Sequence, residues 1–281
     1  FTEAARPGLL SLIIKYNIWI MLALLVAASS VLSEHFLTVQ NIYNLLRQLA
    51  PLALVSIGML LVILTGGIDL SVGSLAAIGG MFIAMMMPAL PFDGAFALIV
   101  CVVAATALGA LLGAVNGILV AVFGLAAFVA TLAMMTIGRG IAYMMSNGQP
   151  VRFPKELPTA QLLQAFGNKG LPGLGAPWPV VFALVIVCLF VVLLNRTSWG
   201  RLTVATGSNE TAVRLAGLPV WKYKFLAYTI CGALSALAGM IVTARTAVGT
   251  PVTGVGLELD AIAACVIGGA LLSGGKGTVV N

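Results

Sequence analysis

At 281 residues, the chain is 61% hydrophobic and only 8% charged, where soluble domains carry roughly a quarter charged residues. Too few polar groups remain to cover a water-soluble fold, so the composition excludes one and indicates an integral membrane protein. The net charge of +6 is distributed as the positive-inside bias of a membrane protein rather than as a nucleic-acid surface. The period-two alternation of a membrane β-barrel is absent.

A run of about 20 apolar residues crosses a bilayer as a helix. Hydropathy predicts about eight such segments, near 18–32, 49–64, 70–87, 95–123, 125–145, 180–194, 225–244 and 260–272. The fold class expected is an all-α polytopic membrane protein, a helical bundle with an internal repeat, in one membrane domain over 1–281. The chain opens on Phe1 rather than Met, so the true N-terminus is expected to lie upstream. The 18–32 run follows Lys15 without a small-residue cleavage pattern and reads as a retained helix.

With the N-terminus in the cytoplasm and one crossing per segment, the inner side receives Arg6, Lys15, Arg196, Arg201, Arg214, Lys222, Lys224 and Lys276. The outer side receives the smaller group of Arg47, Arg152, Lys155, Lys169 and Arg245. The asymmetry favours this orientation. Trp19, Trp178, Trp199 and Trp221 fall at expected segment ends, where an amphipathic indole suits the headgroup layer. The outer stretch 147–177, rich in Gly, Pro and polar residues, is too short and polar for a separate domain. Cys101, Cys188, Cys231 and Cys265 lie inside apolar runs without paired spacing, as buried free thiols would.

Small residues mark where helices meet. Gly109, Gly113 and Gly117 form a tandem GxxxGxxxG. Gly73 with Ala77, Ala76 with Gly80, Gly232 with Ala236 and Ser235 with Gly239 repeat the spacing. In lipid, close backbone approach and dispersion must hold helices together. The stretch from Gly58-Met59 through Asp69 to Gly79-Gly80 is echoed by Gly239-Met240 through Asp260 to Gly268-Gly269. Transporters are commonly built from such repeats.

Three regions carry candidate chemistry. The run Thr65-Gly66-Gly67-Ile68-Asp69-Leu70-Ser71 puts one carboxylate among glycines between two apolar segments, where an ionisable group is costly. Asp69 reads either as a helix cap accepting the amides of Ser71 or Val72, or as a residue lining a path or binding a coupling cation. Asp260 repeats the placement. In the inner loop 196–224, residues 206–218 read as a short helix capped by Ser208 or Asn209, with Glu210 in its first turn, ended by Gly217 and Pro219. Arg139 reads as a snorkelling or interhelical arginine, or as lining a path. Arg152, Lys155 and Lys169 are either solvated or a docking patch for acidic groups. The run 268–278 lacks the glycine and hydroxyl positions of a phosphate loop. His35, the sole histidine, gives a metal site or catalytic triad little support.

The motif 65–74 with its flanks 53–59 and 75–80, the inner 206–218 stretch with Gly207, Asn209, Ala212 and Gly217, and 254–263 with 268–278 together resemble the membrane subunits of ABC importers for simple sugars, the ribose, xylose and galactofuranose permease-like family. The resemblance covers essentially the whole chain. It implies an inner-membrane permease subunit, not itself an enzyme, forming the path for a monosaccharide delivered by a periplasmic binding protein. A second permease subunit, alike or different, and two ABC ATPase copies would complete the importer. ATP would be used by that partner, leaving this chain with membrane lipid but no cofactor, metal or nucleic acid. Gly207, Asn209, Glu210, Ala212, Arg214 and Gly217 would form the ATPase-coupling loop. Gly66, Gly67, Asp69, Ser71, Asn116, Arg139, Glu258 and Asp260 would form the path or helix breaks. Arg152, Lys155 and Lys169 would meet the binding protein. The family continues for two further helices of about ten, which this sequence is expected to lack. Alternatives are a related permease for branched-chain amino acids or nucleosides, or an ion-coupled secondary transporter.

Overall fold

The computed structural model describes residues 9–173 and 175–281, with side chains from residue 19. Arg6 and the Lys15 side chain, placed on the inner side by the sequence, lie outside the described residues. The chain divides into two compact units, 1–46 and 47–281. The first holds α1 (Leu9–Leu32) and the start of α2 (Val39–Leu64). Between them the Thr38 hydroxyl donates to the His35 carbonyl at 2.8 Å, and Asn41 Nδ2 donates to Phe36 O at 2.8 Å. These bonds close the turn that joins the two helices. Trp19 lies inside α1 rather than at a segment end, because the helix begins ten residues before it.

The second unit contains the rest of α2, then α3 (Val72–Met86), α4 (Ala95–Ala121), α5 (Ala127–Met145), α6 (Pro158–Asn168) and α7 (Trp178–Arg196). It continues with α8 (Ser198–Ser208), α9 (Glu210–Leu215), α10 (Val220–Thr246) and α11 (Leu257–Ile267). Strands β1 (Val151–Arg152) and β2 (Val248–Gly249) pair antiparallel, with Val151 opposite Gly249. Among the described residues, six helices are long and apolar enough to cross a membrane: α2, α3 with the 3-10 turn that follows it, α4, α5, α7 and α10.

The span expected at 260–272 is instead the 11-residue α11. At 1.5 Å per residue it is about 16 Å long, half the ~30 Å hydrocarbon core. Gly256 (φ +85°) opens it, and Gly269 (φ +86°) turns the chain away just after its end, so Leu271 and Leu272 continue as a turn. The Cys265 thiol donates to Ser56 O at 3.3 Å and ties α11 to α2.

Three helices are central to this unit, α3, α10 and the second half of α2, from Ala50 to Leu64. α3 and α10 bury most of their surfaces, whereas α4, α5 and α7 bury one stripe each. The glycine ridge of α4 fits against α10. A Cβ on Gly109 would stand 2.5 Å from Gly232 O, and one on Gly117 would stand 2.9 Å from Phe225 O. On the other side of α10, a Cβ on Gly79 would stand 2.6 Å from Ala236 Cα, and Gly239 lies against the Ala76 carbonyl. The predicted small-residue pairs therefore meet across α3, α4 and α10. Cys101, Cys231 and Cys265 are buried, but Cys188 is exposed on α7, whose burial stripe falls at Ala183, Phe190 and Leu194.

The 147–177 stretch builds a lid of its own. α6 turns Thr159, Ala160, Leu163 and Gly167 inward, toward α4 and α10. Its first turn is fixed by Asp93, whose carboxylate accepts from Thr159 N at 2.8 Å and from the Thr159 hydroxyl. These bonds hold the Asp93 carboxyl below its ordinary range.

Candidate functional site

Within the 65–71 break, Thr65, Gly67, Asp69 and Ser71 are buried, while Gly66 is exposed. Thr65 and Gly66 turn the end of α2, with Gly66 at φ +81°. Asp69 and Ser71 have no exposed surface. One Asp69 oxygen, Oδ1, accepts from Ser71 N at 2.9 Å, from the Ser71 hydroxyl at 2.6 Å and from Asn116 Nδ2 at 3.4 Å. Asn116 also donates to Ser71 Oγ at 2.9 Å. Asp69 thus closes the turn leading into α3, whose N-cap is Ser71 rather than the Asp69 expected from sequence, and α4 reaches it through Asn116. The carboxylate's other oxygen and the Asn116 carbonyl oxygen have no partner.

Next to this break lies a cavity of about 670 Å³. Its walls are Thr65 to Gly67, the α4–α5 connection from Val120 to Ala127, Glu210, Arg214 and Leu218 of the 196–224 loop, and Trp221, Lys224 and Tyr228 of α10. Its size falls within the range of small-molecule sites. Tyr228 is completely buried, its hydroxyl has no partner, and it occupies the space a Cβ on Gly67 would take. Sequence reasoning missed Tyr228 and counted Lys224 only as a charge, because neither belongs to a local motif.

The 196–224 loop holds two helices, α8 and α9, of which α9 is the short capped helix expected within 206–218. Thr197 caps α8, accepting from Gly200 N at 3.2 Å. Asn209 breaks the chain and caps α9, accepting from Ala212 N at 2.9 Å. Of the two caps weighed, Asn209 is the one used; Ser208 ends α8 and donates to Gly275 O at 3.2 Å. Glu210 bonds Arg214 and Lys224, each at 2.6 Å. These partners lower its carboxyl pKa, Lys224 most strongly. Gly217, at φ +77°, ends the helix. Val213 points inward, while Ala212, Arg214 and Leu215 stay exposed. Gly207 is not on this face: it sits in α8 against the Leu64 carbonyl, where a Cβ would stand 2.6 Å from Gly275 N.

At the opposite end, residues 247–256 leave α10 and run along α3. Gly249 lies beside Gly80 and Ala84, and Gly254 lies beside Gly73. Irregular backbone at such depth needs protein donors. Arg139 supplies them, with Nη1 donating to Pro251 O at 2.6 Å and to Thr253 O at 2.8 Å. Glu258 Oε1 accepts from Gly256 N at 3.3 Å at the start of α11. Asp260 does not repeat Asp69. It falls in the first turn of α11, exposed, on a cleft shared with Gln48 and Arg245. The helix–break–helix arrangement recurs, but the carboxylate moves from before the second helix to inside it. Arg152, Lys155 and Lys169 are exposed on the lid, with Arg152 in β1.

A bundle of membrane-crossing helices, with buried breaks and a polar-edged cavity at one end, defines a polytopic membrane permease. The chain belongs to the family described as the branched-chain amino acid transport system / permease component, whose model matches residues 41–280. It is 44% identical over 262 residues to the ribose import permease protein RbsC of Escherichia coli K12, covering 93% of this chain and 79% of that one. The RbsC of Bacillus subtilis 168 is 40% identical over 280 residues, covering 100% and 84%. The L-arabinose ABC transporter permease protein AraH of Azospirillum brasilense is 33% identical over 275 residues, covering 98% and 78%. No solved structure matches the chain.

Proposed function

We propose that this chain is the transmembrane subunit of an ATP-binding-cassette importer and forms the path for a monosaccharide. The observation that carries the reading is its likeness, over 93% of its length, to permeases that import ribose, joined by one named as an L-arabinose ABC transporter permease. The family description names branched-chain amino acids, but the sugar relatives match nearly end to end and carry the substrate reading.

On this reading the chain sits in the bacterial inner membrane with its N-terminus in the cytoplasm. The 65–67 break, the α4–α5 connection and the basic α8–α9 loop face inward. The lid carrying Arg152, Lys155 and Lys169 faces outward and receives a periplasmic sugar-binding protein. A second permease subunit completes the path, and two ABC ATPase copies hydrolyse ATP. The capped α9, with Ala212, Arg214 and Leu215 exposed, supports its assignment as the ATPase-docking element. Sugar released at the outer face passes inward when the ATPases close, and the path residues only position it and exclude other solutes.

The test is purification of the tagged protein from its native membrane, with mass spectrometry of what accompanies it. An ATPase subunit and a sugar-binding protein are the expected companions. Elution alone after cross-linking would contradict the proposal.

A further inference from the structure

α9 is attached to α10 at two points. Its C-terminal end continues through Ala216 to Pro219, where Gly217 at φ +77° forms a bend. Its N-terminal end is held by Glu210, whose Oε2 bonds Lys224 Nζ at 2.6 Å while its Oε1 bonds Arg214 at 2.6 Å. Lys224 lies in the first turns of α10 with its side chain 20% exposed, against 38% for Glu210, so the bond sits at the protein edge with its lysine half the better covered. Its N-terminal end is also continuous with α8 through Asn209, and Val213 is buried, so the ion pair adds a direct side-chain tie from α9 to α10. With the second attachment, α9 and the start of α10 move as one body.

The motion has somewhere to go. Tyr228 follows Lys224 by one helical turn and lies on the same face of α10. Its hydroxyl rests on Gly67 and has no hydrogen-bond partner to hold it there. Above it, α10 packs on α4 along the smooth ridge of Gly109 and Gly113. Packed helices sliding in this way are a common form of switching.

We propose that Lys224 is a positioning residue that transmits the movement of α9 to α10, and through Tyr228 to the Gly66–Ser71 break beside the cavity. This rests on α9 docking the ATPase. The proposal separates the helix that receives the push from the bond that makes the push useful. Loss of the bond uncouples the machine rather than disassembling it.

The experiment uses the complete complex in proteoliposomes, with D-ribose moved and ATP hydrolysed measured together. In Lys224→Met, the ribose moved per ATP falls roughly tenfold, the scale expected for a pair coupling two elements. Lys224→Arg keeps the bond and the ratio. The exchange E210K/K224E restores most of the ratio by re-forming the pair in reverse, a rescue that a merely space-filling lysine would not show. An unchanged ratio in Lys224→Met, or a lowered ratio that neither Arg nor the exchange restores, would overturn the proposal. Should Lys224→Met fail to assemble, the exchange variant decides alone: a ratio near wild type supports the proposal, and a ratio near zero overturns it. A wild-type complex that hydrolyses no ATP would instead overturn the importer function on which the proposal rests.

Discussion

Gly109 of α4 and Gly232 of α10 touch backbone to backbone: a Cβ on Gly109 would stand 2.5 Å from the Gly232 carbonyl oxygen and 2.5 Å from Ala236 Cβ. Only the Ala236 methyl intrudes there, so dispersion across this close contact holds α10 in place. Gly109→Val is expected to force the helices apart at a cost of about 1–3 kcal/mol, typical of overpacking. Thermal unfolding in detergent should show a clear fall in melting temperature. Gly124→Ala, whose Cβ would meet nothing within 4 Å, keeps its packing and pays only for its left-handed backbone, so its fall should be smaller.

Asp69 serves three donors through one oxygen. Asp69→Ala removes the acceptor and leaves buried polar groups unpaired, each worth about 1–3 kcal/mol. Asp69→Asn retains a carbonyl oxygen in the same place. The expected order of stability is wild type, then Asn, then Ala, read by unfolding in detergent. If Asn is as damaging as Ala, the carboxylate's charge and not its turn-closing geometry is what the bundle requires.

Arg139 holds two carbonyls of the 247–256 segment. Arg139→Leu strands both, and the segment is expected to open. Amide exchange over 249–256 should accelerate by roughly tenfold or more, since releasing a charged donor costs about 1.5–3 kcal/mol. Exchange within α4 should stay as it was. Equal exchange in both proteins would show that Pro251 and Thr253 do not depend on Arg139.

The Glu210 pair has a defined pH dependence. Its carboxyl is held below the usual range of about 4.3, chiefly by Lys224. A lowered folded-state value favours the folded form fully above the usual range, and this contribution is lost as pH falls through the lowered value. Wild type should therefore exceed Glu210→Gln in melting temperature by a constant margin between pH 6 and pH 8, roughly two units and more above the usual value. Below about pH 4 the two should converge. A margin that persists in acid would mean that the glutamate stabilises by shape rather than charge.

Much of this was legible in the sequence, and the reasons differ by region. Apolar runs located α2, α3, α4, α5, α7 and α10 because lipid and protein interior demand the same residue types along a whole helix. The same logic failed at 260–272, where a half-length helix and the turn after it are both apolar; only the positive φ of Gly269 stops the helix. Asn209 as a cap was readable because capping is local. The contacts of Tyr228 with Gly67 and of Lys224 with Glu210 were not, because residues 14 or more apart in sequence leave no periodic trace. Asp260 looked like a second Asp69 from its spacing to glycines, yet its place relative to the helix start differs by several residues, and Glu258 makes the bond at that start instead.

The central claim is that ATP, spent by a partner, drives a sugar through this chain. Its most direct test is uptake of radiolabelled D-ribose by proteoliposomes holding the complex and its binding protein, with ATP inside and ionophores present. Uptake that requires ATP and the binding protein and survives collapse of ion gradients is the expected result. Uptake that persists without ATP and stops when the proton or sodium gradient is collapsed would contradict the account.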